Sequence, residues 1–305
     1  MSLIFATVSL AAISGCRSAG EDGPEVVATT TQVADLARNV AGDRAEVEGI
    51  LPAGSDPHDY EPRPSDAAAI ASARIIITSG GEVDEWAEDL IESSGTEARV
   101  VTLSDSFDLS PDADGRPDPH WWQDAARARA AVLEIRDALS EVDPPGDGDY
   151  ARNAAAYAEE ISATDESIHD CMAQVPDEAR KLVTAHDSLG YLADRYAVEV
   201  VGAAIPALSS QAQPSAGETA ELVGLIRTED VRAVFAEAGL PDDLERAIAA
   251  DADVAFGGEL YADSLGGEGT PGETYLGALR SDAATLIEGF SNGAPLSCPA
   301  LGLDR

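Results

Sequence analysis

Two short stretches set a histidine behind a proline and among acids: "DPHDYEP", Asp56 to Pro62, and "DPHWWQD", Asp118 to Asp124. The chain has 4 histidines in 305 residues, so a repeated Asp-Pro-His is a candidate for chemistry. Proline fixes its own φ and holds the residue before it in extended geometry, which makes each loop stiff. Stiffness suits a preorganised ligand, and it equally suits an ordinary turn. Of the other two histidines, His186 ends the run "KLVTAH", while His169 lies inside a helical stretch, "DESIHDC", and reads as a plain surface residue.

His58, His120 and His186 each have carboxylates nearby in sequence: Asp56 and Asp59, Asp118 and Asp124, and Asp187. A histidine between acids can be a general base. It can also be a metal ligand, because a metal-bound imidazole usually donates its other N–H to a carboxylate or carbonyl. With 57 Asp and Glu residues in the chain, the same acids also fit a generally acidic surface. "LYADSLG", Leu260 to Gly266, supplies Asp263 as a fourth donor. Three imidazoles and a carboxylate in fourfold coordination suit Zn2+, whereas Mn2+ favours more oxygen. A zinc hydrolase with a water-bearing position is an alternative, but Asp263 takes the open position, and no GxSxG or HExxH arrangement occurs.

The elements that must carry these residues read as α/β units. "EVVATT", "AEVEGIL", "ARIIITSG" and "ARVVTLS" are strand-like runs in the first half, and "KLVTAH", "AVEVVGAA", "VRAVFAEAG" and "VAFGGEL" repeat the logic in the second. "TTQVADLARNVAG" places Val33, Leu36 and Val40 on one helical face, with Gly42 as its stop. Ser65 is the expected N-cap of the next helix, and "SAGE" and "TPGE" read as capping boxes at Ser215 and Thr270. From Asp124 to Gln174 the chain is Ala-rich with charges at helical spacing, broken into two helical pieces by "DPPGDGD". His58, His120, His186 and Asp263 then fall at or beyond the carboxyl ends of strands, where ligand sites of open α/β sheets collect.

Composition narrows the partners. A net charge of −38 repels a polyanion, so nucleic acid is excluded as a partner and a cation is the better electrostatic match. The first residues, "MSLIFATVSLAAISGCRSAG", are too short and interrupted for a stable membrane anchor and read as a secretory apolar region. No Lys or Arg precedes that region. It ends in "ISGC", which resembles a bacterial lipobox and implies acylation of Cys16. The remaining cysteines, Cys171 and Cys298, form an even pair that suggests a disulfide in an oxidising exterior.

Taken in order, the motifs resemble the zinc/manganese-type solute-binding lipoproteins of ABC transporters, the metal-binding cluster A-I. "VVATTTQVADLARNVAGDRAEVEGILPAGSDPHDYEPRPSD" is similar to that family's opening. "DPHWWQD", "TAHDSLGYLADRY" and "YADSLG" are similar to its later ligand loops. The resemblance covers nearly the whole mature chain and implies His58, His120, His186 and Asp263 as metal ligands. It implies two α/β lobes, each with a mainly parallel four-stranded sheet flanked by helices, joined by a long connecting helix. The expected divisions are a signal and tether over 1–24, lobes over 25–123 and 176–305, and a helical connector over 124–175. The implied function is a monomeric, extracytoplasmic receptor, lipid-anchored to the outer face of the bacterial cell membrane. It would deliver Zn2+ to an ABC permease without being an enzyme; a manganese or broader divalent-metal receptor is the alternative. Manganese-selective relatives usually carry Glu where His186 stands, which favours zinc. Two departures are visible: "SDSFDLSPDADGRPDPH" is acidic where zinc-uptake members often have a His-rich loop, and "DPPGDGD" moves the rigid connector's start to near Asp149.

Overall fold

The structure is a computed structural model describing residues 25–304 apart from 113, 114 and 295. Cys16 lies outside the described residues. Among them, no helix is long and apolar enough to cross a membrane.

The four apolar runs of the first half become β1 (Val26–Ala28), β2 (Val47–Gly49), β3 (Ile75–Thr78) and β4 (Arg99–Thr102), all parallel, in the order β2-β1-β3-β4. Parallel neighbours need crossovers, here α1 (Thr31–Ala41), α2 (Pro64–Ser72) and α3 (Trp86–Ser94). Side chains alternate across a strand. Val26, Ala28, Ile75 and Ile77 therefore join the central core, while Val27 and Ile76 join an outer core with Ile70 of α2. Helix α1 buries Val33, Leu36 and Val40, as its period requires. The Thr30 hydroxyl accepts the Val33 N–H at 3.4 Å, and Gly42, at φ 55°, ends the helix.

Ser65 is not the cap of α2. The helix begins at Pro64, whose fixed φ suits a first helical position, and the Asp66 carboxylate accepts the Arg63 N–H at 2.7 Å.

The connector is α4 (Ala125–Val142) and α5 (Asp147–Met172), joined by a short turn over Pro144–Gly146. Asp143 pins that turn: its carboxylate accepts from Arg44 at 2.8 and 3.0 Å and from the Tyr150 hydroxyl at 2.8 Å. The Arg44 guanidinium holds the Asp143 carboxyl below its ordinary range. With 26 residues, α5 is about 39 Å long. It packs on α1 of the first lobe and on helices of the second, so it acts as a strut.

The second lobe holds β5 (Lys181–His186), α6 (Gly190–Tyr196), β6 (Glu199–Ile205), α7 (Ala216–Thr228), β7 (Ala233–Glu237), α8 (Asp243–Ala252), β8 (Ala255–Leu260) and α9 (Tyr275–Ser291). Its strands form two parallel pairs, β5 with β6 and β7 with β8, and β5 lies alongside β7. Each pair shifts register by a bulge, at Leu182/Val183 and Val234/Phe235, which interrupts regular ladder bonding near their seam. Ser215 does form a capping box with Glu218: the Ser215 N–H donates to Oε2 at 2.7 Å and the Glu218 N–H to the hydroxyl at 3.3 Å. "TPGE" does not. The α9 cap is Thr274, whose hydroxyl accepts the Gly277 N–H at 3.1 Å, while Glu273 accepts the Gly269 N–H within the preceding loop. A small antiparallel ribbon, β9 (Ser297–Cys298) with β10 (Leu303–Asp304), closes the chain. A disulfide joins Cys298 to Cys171 of α5, with their Cα atoms 5.6 Å apart.

One central core runs from Ile75 and Ile77 through Leu36, Ile135 and Ile161 to Leu182, Phe235 and Phe290. The lobes therefore share apolar packing beneath the cleft, and separate outer cores finish each lobe's far face.

Candidate metal centre

Each of the four expected donors sits where a strand gives out. His58 lies in the short turn Pro57–Asp59 beyond β2, His120 in the loop beyond β4, His186 at the last position of β5, and Asp263 just past β8. The structure brings them together, with one donor atom from each within 4.8 Å of all the others. His120, His186 and Asp263 are buried, and the His58 side chain is 5% exposed.

The three rings stand edge-on to one another, with centroids 5.5 to 5.9 Å apart, and each turns its Nε2 toward the Asp263 carboxylate. The Asp263 carboxylate closes it: Oδ2 is 3.2 Å from His58 Nε2 and 3.0 Å from His186 Nε2, and Oδ1 is 3.5 Å from His120 Nε2. None of these contacts is aligned as a hydrogen bond, and all five atoms are buried without a hydrogen-bond partner. Donors around a four-coordinate zinc with bonds of about 2.0–2.1 Å stand roughly 3.3 Å apart; the Asp263-to-imidazole distances of 3.0, 3.2 and 3.5 Å are close to that, while the whole donor set spans up to 4.8 Å. Buried polar atoms left without hydrogen bonds are costly, and a cation at the centre would satisfy all of them. With both Asp263 oxygens facing inward, the set could offer four or five donor atoms.

The acids next to the histidines in sequence take differing roles. Asp118 faces His120 Nδ1 at 2.7 Å and also accepts the His120 backbone N–H at 2.9 Å, which leaves Nε2 free to coordinate. Asp56 accepts the His58 backbone N–H at 2.8 Å and fixes the turn rather than the ring. Asp124 caps α4, accepting the Ala126 N–H at 2.8 Å. Asp187 does not orient His186. The acid beside the ring is Glu237, which sequence reading missed: its Oε2 is 3.0 Å from His186 Nδ1, an electrostatic contact without hydrogen-bond alignment, and its Oε1 accepts the Asp263 N–H at 3.2 Å. Its one sequence signal was an acid at the end of the strand-like run "VRAVFAEAG". His169 stays outside the centre, half-exposed, with its ring 4.9 Å from that of Tyr196.

Burial opposes a proton on His186, but Asp263 and Glu237 outweigh it and hold the imidazole pKa well above its ordinary value. Burial would raise Asp263, yet His186 and His120 hold its carboxyl well below its usual range. Burial, with Asp263 beside it, pushes Glu237 up.

The Asp263 loop leaves the second lobe's β8 but is held by the first lobe. Trp122 Nε1 and Gln123 Nε2 both donate to the Ala262 carbonyl, at 2.8 and 2.7 Å. The Leu265 N–H donates to the Thr31 hydroxyl at 2.8 Å, and the Gly54 N–H to the Leu265 carbonyl at 2.9 Å. Two ligand loops are thereby clasped to each other.

The chain is similar over nearly its whole length to known metal-binding proteins. The family described as zinc-uptake complex component A, periplasmic (ZnuA), matches residues 26–289. The manganese-binding lipoprotein MntA of Halalkalibacterium halodurans is 32% identical over 295 residues, covering 95% of this chain and 97% of that protein. The iron-binding protein YfeA of Yersinia pestis is 31% identical over 301 residues, covering 94% and 95% respectively. Among solved structures, the periplasmic zinc-binding protein TroA from Treponema pallidum superposes with a TM-score of 0.82 at 25% identity, covering 88% of this chain and 99% of that one. On a match spanning both lobes and all four donor loops, the chain belongs to the zinc-uptake complex component A family, as a solute-binding receptor of a metal ABC transporter and not an enzyme.

Proposed function

We propose that the chain is the lipid-anchored, extracytoplasmic receptor that holds one Zn2+ on His58, His120, His186 and Asp263 and passes it to an ABC permease. In this reading residues 25–123 and 176–305 are the lobes that grip the ion, 124–175 is the strut between them, and Cys16 carries the anchor. The observation that carries the proposal is the set of three Nε2 atoms and two carboxylate oxygens, buried without partners around one point. Zinc is favoured because three of the four ligating residues are imidazoles. Loading displaces a proton from His186, so the ion and the proton compete for that ring.

Manganese is the second reading. It is supported by the manganese-binding name of MntA and by the inward-facing pair of Asp263 oxygens, which gives a site with more oxygen. Zinc binds a given nitrogen and oxygen donor set more tightly than manganese in any case, so simple competition favours zinc whichever ion is the natural cargo. The deciding experiment is uptake of Zn2+ and of Mn2+ by cells with and without the chain, beside titration of the stripped protein. Zinc uptake is expected to fall without the chain, with one zinc bound per chain in titration and loss of binding in His186→Ala. A fall in manganese uptake alone would replace zinc as cargo, and a chain that ignores both ions would end the receptor reading.

A further inference from the structure

The four donors are not equally shut in. His120, His186 and Asp263 are buried, whereas His58 lines a cavity of about 340 Å³ between the first lobe and the loop after β6. Glu82, Glu85 and Trp86 of the first lobe and Leu208 and Ser209 of the second line the same cavity. Six water molecules at about 30 Å³ each occupy roughly 180 Å³, so a hydrated cation fits inside. Glu82 and Glu85 are exposed, and neither faces a cation in an ion pair among the described residues. Behind them the nine-tenths-buried His58 ring presents an unpartnered Nε2 to the centre. The wall on the far side belongs to the loop after β6. It is latched to the His58 turn by Asp56, which accepts from the Ser210 hydroxyl at 2.5 Å and from Gln211 Nε2 at 3.3 Å.

We propose that this vestibule is the port of the metal centre: a hydrated divalent cation is gathered at Glu82 and Glu85, sheds water there, and enters and leaves past His58. The inference rests on the receptor reading and adds a route to it. His58 is the first ligand made and the last broken, and the other three donors never need direct access to solvent. The carboxylates act on encounter, since a negative mouth raises the local cation concentration and the association rate.

Stopped-flow mixing of the stripped full chain with Zn2+ tests this, with release followed by excess EDTA and a zinc indicator dye. Glu82→Gln with Glu85→Gln should slow association roughly two- to tenfold at low salt, with the difference shrinking as salt is added. The same charge change at exposed positions of α5, Glu166→Gln with Asp170→Asn, should have a smaller effect. Ser209→Phe, which narrows the port, should slow association and release in parallel, the mark of a barrier on the route rather than a damaged site. Unchanged rates in both port variants, or slowing no greater than at the α5 positions, would overturn the port. Failure of the unsubstituted chain to take up Zn2+ in titration would instead overturn the receptor reading beneath it.

Discussion

Glu237 is the residue on which the second lobe's share of the centre turns, because one carboxylate faces the His186 ring and accepts the Asp263 N–H. Glu237→Gln keeps the volume but loses the charge, and loss of such an outer partner weakens metal binding by about 10–100-fold. Chelator-competition titration should show that loss. It should also show a change with pH. In the metal-free protein Asp263 and Glu237 outweigh burial and raise the His186 pKa, so falling pH weakens metal binding starting above the ordinary imidazole range. Removing one of the two carboxylates should move that onset downward. For the metal-free fold the sign reverses: protonated His186 contributes stability that is fully present below its unfolded pKa and lost as pH rises through the raised one. Asp282 offers a second test. Buried on α9, it accepts the Tyr261 N–H at 2.9 Å, and burial pushes its carboxyl up to about 8. A raised carboxyl leaves the native state holding more protons than the unfolded chain, so stability falls as pH climbs toward 8. Asp282→Asn keeps an acceptor for Tyr261. It should stabilise the chain by at least ~1 kcal/mol above neutrality and much less in acid, read from denaturant midpoints across pH.

At the scale of elements, packing tolerances come to the fore. The buried Phe235 ring meets Phe290 edge-on at 5.9 Å, and a Cβ added at Gly257 or Gly289 would run into it. Gly257→Ala should therefore cost about 1–3 kcal/mol in an unfolding titration, despite adding only a methyl group. Much of this level was legible in the sequence. Ile75, Ile76 and Ile77 announce a strand buried on both faces because the apolar run is short and β-branched, and Val33, Leu36 and Val40 announce a helix by their period. All three caps are local, spanning three residues each, but only Ser215 was read in place: at α2 the helix starts at Pro64, so Asp66 bonds Arg63, and at α9 the cap is Thr274, four residues past Thr270. The motifs named the four residues that the fold gathers, His58, His120, His186 and Asp263, but not the side chains around them. Asp187, adjacent to His186, gave way to Glu237, which is distant in sequence and is brought near because β5 lies beside β7. The Ser210 latch and the cavity walls are likewise products of tertiary packing, with no local pattern to reveal them.

Across the described residues, one central core joins the sheets of both lobes through α1, α4, α5 and α9. Calorimetry of the metal-free protein should show a single unfolding transition, and zinc should move it upward as one peak. Two separate peaks would mean that the strut does not couple the lobes. The clasp on the Asp263 loop adds a consequence of a different kind. Trp122, Gln123 and Thr31 fix a loop of one lobe to the body of the other through hydrogen bonds in which none of the four candidate ligands takes part. Small-angle scattering should then return the same radius of gyration for empty and filled protein, and a docking partner that rejects the empty form must sense the electric field at the cleft mouth rather than the silhouette of the molecule.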